Sequence, residues 1–550
     1  MRNFDLFSNY ENSRLKTVSE FTREYTTIPY SKLGEVDCTG IPLCIKRDET
    51  GEIQVTMQPY SHTLCIGATR SGKTTSFLIP TINVLMKGKD KPNMVISDPK
   101  GELSRETAAR FEEEGYRIIT LDFVESDSSD CWNPLTKIYD IYAEALSKAE
   151  AFVPVLLGDD KDGVEFEGKF YPDYESAKAA YTAIEHDYMT RVEYEINKLA
   201  SKIVPVDPNH KDPYWDRSAR SLFKAIIYAM LEDIATGTIT RDNFSLGTML
   251  EVFDAFSDGD EKNFDKGYFT SRGESSKAYK LARNCILEQA NNTRKCIISV
   301  FIEKMNIFRD IAIRRVTCTN TFNMEELDGD TPTVIFLEYR DEENSGYEII
   351  SLFLSCLYTE LIAIARKKDG SLSRPFLFLL DEFGNLPQFG NDEFHKIISA
   401  CASRNVFFVI LLQSYAQLNH VYGESCGHII RDNLSTHIYI GSNNTDTVGD
   451  FSKECGEKTI ISPVYAILNG EDEHPTNYTK EVVPLVPVSK LKRLKVGECV
   501  ITQLREDVLW SFMERSYLCP EFCDKEKRRP KTRVQKVDFA HPKYHYKKEE

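Results

Sequence analysis

The stretch "HTLCIGATRSGKTTSFLIP" (62–80) decides how the rest of the chain is read. It opens on a short apolar run, passes through G-x4-G-K-T, and continues into residues with helical character. A glycine-rich loop between a buried strand and a helix lets backbone N–H groups wrap a phosphate. The helix N-terminus then faces the anion. The spacing therefore predicts a nucleotide loop made of Gly67, Ala68, Thr69, Arg70, Ser71, Gly72, Lys73, Thr74 and Thr75. Lys73 is expected to bridge the β- and γ-phosphate oxygens, and Thr74 to place its hydroxyl on Mg²⁺. ATP and Mg²⁺ are the expected cofactors. Pro80 should kink the following helix or end its first segment.

Outward from the loop, "NMVISD" (93–98) and "YRIITLD" (116–122) read as buried strands, with "GELSRETAARFEEEG" (101–115) as the helix between them. This alternation predicts a parallel α/β sheet. Upstream, "IPLCIKRDETGEIQVTM" (41–57) reads as a hairpin turning at "DETG". From about 136 to 316 the pattern changes to helical periodicity, which predicts an all-alpha insertion. Within it, 276–308 reads as one long helix and 142–157 as another. Strand patterns resume at "TPTVIFLEY" (331–339), "RPFLFLLDE" (374–382), "NVFFVILLQS" (405–414) and "STHIYIGS" (435–442). The expected organisation is an N-terminal segment without a transmembrane helix (1–40), a first part of the nucleotide domain (41–135), the insertion (136–316), a second part (317–520) and a basic tail (521–550).

Hydrolysis needs more than a loop. "FLFLLDE" is an apolar strand ending in two carboxylates. Asp381 is the candidate Mg²⁺ ligand, and Glu382 the candidate base for the attacking water. Gln413 ends the next strand and can bond the γ-phosphate or that water. Arg404 precedes the same strand and is a candidate to stabilise transition-state charge on a neighbouring subunit's ATP, which requires a ring. Asp98 and Lys100, in "SDPKGEL" (97–103), fall at a strand end, where such sheets bind ligands.

Composition bounds the partners. The formal net charge is −17, so the surface as a whole repels nucleic acid, and contact with DNA requires a local basic patch or lumen. The 14 cysteines are scattered, many in apolar runs, as suits a reducing compartment. Cys519 and Cys523 have no second pair at metal-ligand spacing. "IISLFLSCLYTELIAIA" (349–365) reads as a buried helix, because it is short for a span and contains Glu360. "DKEKRRPKTRVQKV" (524–537) reads as a flexible basic tail.

Taken together, "HTLCIGATRSGKTTSFLIP", "ISDPKGEL", "WNPL" (132–135), "DPYWDRSAR" (212–220), "LLDEFGNLP" (379–387), "LLQSYAQLNHVYG" (411–423) and "KECGEKTI" (453–460) resemble the type IV coupling protein family, the TraG-like ATPases of bacterial conjugation. The resemblance spans roughly residues 40–515. It implies a RecA-like P-loop NTPase core with an inserted all-alpha domain, assembled as a homo-hexamer. It also implies a motor that links the relaxase and relaxosome, with their single-stranded DNA, to a type IV secretion channel. By motif match, Lys73, Thr74, Asp381 and Glu382 take the hydrolytic roles given above, and Gln413 falls in the family's third motor motif. Many members carry N-terminal transmembrane helices, and this sequence shows none. The expected location is therefore cytoplasmic, with a membrane-anchoring partner protein recruiting the chain to the inner face of the membrane. A coupling ATPase for protein effectors and a nucleotide-gated docking scaffold are the alternatives. An FtsK-type duplex translocase or a helicase would share the core, but "DPKGEL" and "DEFGNLP" point away from both.

Overall fold

The computed structural model describes residues 13–37, 39–151, 155–156, 164–206, 212–257, 265, 267–340, 342, 344–386, 394–464 and 477–523. The expected basic tail from 524 onward lies outside the described residues, as does Pro387. The chain divides into two compact units. Among the described residues, the first comprises 13–120 together with 324–523. The second is Leu121–Asn323.

The first unit opens on a small antiparallel sheet of β1 (Thr26–Pro29), β2 (Ile41–Arg47) and β3 (Ile53–Gln58), in the order β1-β3-β2. β2 and β3 form the expected hairpin, turning at residues 48–52. Next come β4 (Thr63–Gly67), the phosphate loop and a helix to Lys87, then β5 (Asn93–Asp98), the helix Glu102–Glu113 and β6 (Arg117–Asp122). β4 and β5 are buried along their whole length, which is why they read as unbroken apolar runs. The first helical segment ends just before Pro80, as expected. The first turn, Lys73–Leu78, is a wide π turn, and the α-helix begins only at Ile79. The proline thus sits at the junction of the two segments, where the hydrogen-bond pattern changes.

The second unit is mostly helical, with long helices at Tyr174–Ile203 and Tyr214–Glu232. It is not all-alpha. A small antiparallel sheet joins β7 (Val155–Leu156), β8 (Val164–Phe166) and β9 (Lys169–Tyr171). The helix expected to reach 157 therefore stops at Ala151. The long helix expected over 276–308 is also interrupted. It runs Lys277–Ala282, widens into a π turn at Arg283–Leu287, and restarts as Asn291–Met305. Residues 123–135 and 317–323, at the two margins of the expected insertion, pack with this unit. The "WNPL" motif ties these two ends together. The Trp132 N–H donates to the Val316 carbonyl (2.7 Å), the Asn133 N–H to Asn320 Oδ1 (2.6 Å), and Asn133 Nδ2 to the Phe244 carbonyl (2.8 Å).

The first unit resumes with β10 (Thr333–Glu338), β11 (Phe376–Leu380), β12 (Val406–Leu412) and β13 (Thr436–Gly441), then the ribbon β14 (Glu457–Val464) and β15 (Asn477–Pro484), and finally β16 (Glu498–Gln503) and β17 (Leu509–Phe512). The main sheet has nine strands in the order β17-β16-β13-β4-β12-β11-β5-β10-β6. From β13 to β10 neighbouring strands are parallel, and β16 and β17 add an antiparallel margin. The helix Asn344–Lys367 has the length and hydropathy of a membrane span, yet 61% of its most apolar window is buried in the protein. Ile350, Phe353, Leu354, Leu357 and Leu361 carry that burial, so it is a core helix here. The packed chain also extends past the expected boundary at 520, since Phe522 is fully buried.

Candidate functional site

β4, β12 and β11 lie side by side and parallel, so the loops that follow them emerge along one edge of the sheet. After β4 the phosphate loop turns tightly. A Cβ on Gly67 would sit 2.6 Å from Lys73 Cγ, and Gly72 holds φ +104°, where side chains are disfavoured. Lys73 is buried, and its Nζ donates to the Gly67 carbonyl at 2.5 Å.

After β11 the chain delivers Asp381, which is buried to 9% exposure. Burial pushes its carboxyl above the ordinary carboxylate range, Lys73 partly opposes this, and Glu382 adds to it. The Thr74 hydroxyl donates to Asp381 Oδ2 at 3.4 Å. A threonine hydroxyl, a carboxylate and a nearby lysine are the hard-oxygen and cationic groups that suit Mg²⁺ and a phosphate chain. Two polar atoms of the loop region, Ser71 Oγ and Ser76 Oγ, are buried without a hydrogen-bond partner. Unpaired buried polar atoms beside a glycine loop are what a phosphate-binding cradle leaves for its ligand.

Glu382 adopts φ +52°, a left-handed conformation that is uncommon for a glutamate. Its Oε2 accepts from Asn385 Nδ2 at 3.1 Å, and the same amide nitrogen reaches the Tyr347 hydroxyl at 3.3 Å. Gln413 stands half-buried at the end of β12, next to the strand that feeds the loop. Its N–H is held by Gln417 Oε1 (3.0 Å), and its side chain is outside the lining of the cavity described below. Arg404 is elsewhere. It precedes β12, at the opposite edge of the sheet, and its guanidinium donates to the Ala400 carbonyl at 3.0 Å. The length of β12 separates it from its own loop by roughly 20 Å.

A cavity of about 320 Å³ gathers the loop (Ala68, Thr69, Arg70, Gly72, Lys73, Thr74, Thr75), Asp98, Lys100, Asp381 and Glu382. A larger hollow of about 420 Å³ lies around Tyr30 and Arg110, but its four glutamates (Glu52, Glu113, Glu114, Glu521) make it a poor place for a nucleotide. Asp98 is fully buried at the end of β5. Its carboxylate accepts from the N–H groups of Glu102 (2.9 Å) and Ser104 (2.8 Å), capping the helix behind it. Burial, together with Glu338 paired beside it on β10, raises its carboxyl to about 7. Four residues of this region stand out only in the structure: Asn385, which donates to Glu382, Glu338, which lies beside Asp98 and accepts from the Ser104 hydroxyl at 2.6 Å, and Arg515 and Tyr517, which join the lining from the C-terminal margin of the first unit. Asn385 lies in the "DEFGNLP" motif and was visible there. Arg515 and Tyr517 carry no local signal, because their proximity to the loop is purely tertiary.

Solved structures share the fold. The bacterial conjugative coupling protein TrwBdeltaN70 matches with TM-score 0.61 at 14% identity, over 96% of either chain. The plasmid coupling protein TrwB in complex with ADP and Mg²⁺ matches with TM-score 0.59 at 16% identity, over 95% of this chain and 96% of that one. TrwB in complex with a non-hydrolysable ATP analogue matches with TM-score 0.56 at 15% identity, over 92% of this chain and 94% of that one. At these identities the likeness speaks for the fold, a mixed α/β architecture with a large parallel sheet consistent with a RecA-like NTPase core. An uncharacterised protein of Bacillus anthracis is 41% identical over 56 residues, a stretch that makes up 10% of this chain and only 20% of that protein's length. The model of the family described as type IV secretory system conjugative DNA transfer matches residues 37–479, which include the loop, the Asp381–Glu382 pair and the whole second unit. The chain belongs to that family.

Proposed function

We propose that this chain is an ATP-hydrolysing coupling motor. It links the relaxase-bound DNA to a type IV secretion channel and helps drive single-stranded DNA through it. One observation carries the reading: Lys73, Thr74 and the buried Asp381 converge at one sheet edge with Glu382 beside them. The ADP and Mg²⁺ bound by TrwB support the same assignment of cofactors here. Thr74 and Asp381 would hold Mg²⁺, which supplies charge neutralisation on the phosphates. Lys73 leaves the Gly67 carbonyl to pair with β- and γ-oxygens. Glu382, steadied by Asn385, takes a proton from the water that attacks the γ-phosphorus, while the bond to the bridging β–γ oxygen breaks. Gln413 orients that water or the γ-phosphate from the adjoining strand. Arg404 faces away from its own site, so it acts on a neighbouring subunit in a homo-hexameric ring. Recruitment to the inner face of the membrane falls to a partner protein.

Steady-state ATP hydrolysis, with and without single-stranded DNA, tests the reading. We expect turnover that rises with DNA and is lost in Lys73→Ala. Turnover that is absent under all conditions, or unchanged in Lys73→Ala, overturns it.

A further inference from the structure

The stretch "MERSYL" (513–518) carries no nucleotide motif, yet Arg515 and Tyr517 line the same cavity as the phosphate loop. They stand on a fixed support. The Glu514 N–H donates to the Ile45 carbonyl (2.9 Å), and the N–H groups of Leu518 and Cys519 donate to the carbonyls of Arg515 (3.0 Å) and Ser516 (2.9 Å). Cys519 and Phe522 then bury themselves in the core, and Arg110 holds the Glu521 carbonyl at 3.0 Å.

Arg515 is half-buried and lacks an anion. Its Nη1 donates to the Tyr517 hydroxyl (2.7 Å). Its Nε is buried with no hydrogen-bond partner. Among the described residues, no carboxylate lies within ion-pair distance of it. Its Nη2 lies 3.5 Å from where a Cβ on Gly72 would be, and Thr75 Oγ1 lies 3.6 Å from the same point. A guanidinium is thus held over the Gly72–Thr75 end of the loop. Its Cζ lies 5.6 Å from the centre of the Tyr517 ring, and a guanidinium so placed binds phosphate oxygens through charge-assisted hydrogen bonds. Tyr517, 56% exposed, offers a ring at the cavity.

We propose that Arg515 and Tyr517 form a nucleotide clamp. Arg515 pairs with a phosphate oxygen at the Gly72–Thr75 end of the loop, and the Tyr517 ring stacks on the base. The clamp rests on the nucleotide reading above and adds to it two binding residues from a separate part of the chain.

The test is calorimetric titration of the full chain with Mg²⁺-ADP, and separately with inorganic pyrophosphate. Wild type, Lys73→Ala, Arg515→Ala, Arg515→Lys and Tyr517→Ala are compared, with melting of each variant without ligand as the control for folding. We expect Arg515→Ala to weaken both ligands by about tenfold or more, and Arg515→Lys to recover part of that. Tyr517→Ala should weaken ADP by about fivefold or more and pyrophosphate clearly less, because only ADP has a base to stack. If wild type binds ADP and Lys73→Ala loses it, but Arg515→Lys and both alanine variants bind like wild type, the clamp is wrong and the nucleotide site stands. If wild type binds neither ligand, the nucleotide reading fails and the clamp fails with it. Should Arg515→Ala melt early, Tyr517→Ala and Arg515→Lys still decide.

Discussion

Glu382 shows how one residue can be recognised by type and yet need the structure to explain its placement. The sequence pairs it with Asp381 after an apolar strand, and that is enough to nominate it as a base. Its φ of +52° is visible only in the fold, where the backbone turns sharply into the 3-10 turn Phe383–Asn385. This turn brings Asn385 within hydrogen-bond distance of Oε2. The two adjacent carboxylates therefore differ in environment: Asp381 is buried beside Lys73, and Glu382 is half-exposed and steered by an amide. We expect Glu382→Gln to retain nucleotide binding while kcat falls by about 10²- to 10⁴-fold, the usual worth of a general base. Asn385→Ala should lower kcat less and leave KM near wild type, since it removes only the orienting bond. Single-turnover kinetics beside nucleotide titration separate the two effects.

Among the elements, the helix Glu102–Glu113 was legible as a helix, but its start was not understood. Its first turn is capped by Asp98 from the preceding strand, and that carboxylate is buried against Glu338 of β10. The folded chain keeps a proton on Asp98 up to about pH 7, whereas the unfolded chain releases it near the ordinary 3.8. Folding takes up a proton between those values, so this contribution is fullest at low pH and is lost as pH rises toward 7. Asp98 alone can cost up to about 4 kcal/mol across that window at 1.36 kcal/mol per pH unit. Asp98→Asn keeps an acceptor for the cap and should flatten the fall in stability between pH 5 and 8, measured by denaturant unfolding without nucleotide. A slope equal to wild type's would show that Asp98 ionises freely in the fold. Other elements were misjudged for local reasons. Apolar periodicity runs on through 276–308, so the π turn and the break before Asn291 leave little trace in it. β7, at Val155–Leu156, is too short for a two-residue period to declare itself.

At the scale of the whole molecule, a ring would be what gives Arg404 a phosphate to act on. Arg404 and the loop lie at opposite edges of one sheet, so no motion of the side chain alone brings them together within a subunit. We expect Arg404→Ala to bind nucleotide like wild type, and its turnover to stay low at every protein concentration. Mixing it with Lys73→Ala should restore part of the activity, because an interface that joins the loop of an Arg404→Ala subunit to the arginine of a Lys73→Ala subunit is intact. No recovery on mixing would argue against Arg404 acting between subunits. What the sequence by itself determined is whatever is encoded by neighbours along the chain: the loop, the strand–helix alternation, the acidic pair after an apolar strand and the switch to helical periodicity. Those signals follow from backbone geometry and burial acting over a few residues. Only the tertiary structure decided what depends on residues far apart meeting: the sheet order, Glu338 beside Asp98, the closure of the second unit by Trp132 and Asn133, and the arrival of Arg515 at Gly72. The physical reason is that such contacts are chosen by packing of the whole core, and no local spacing records which distant partner fills the remaining space.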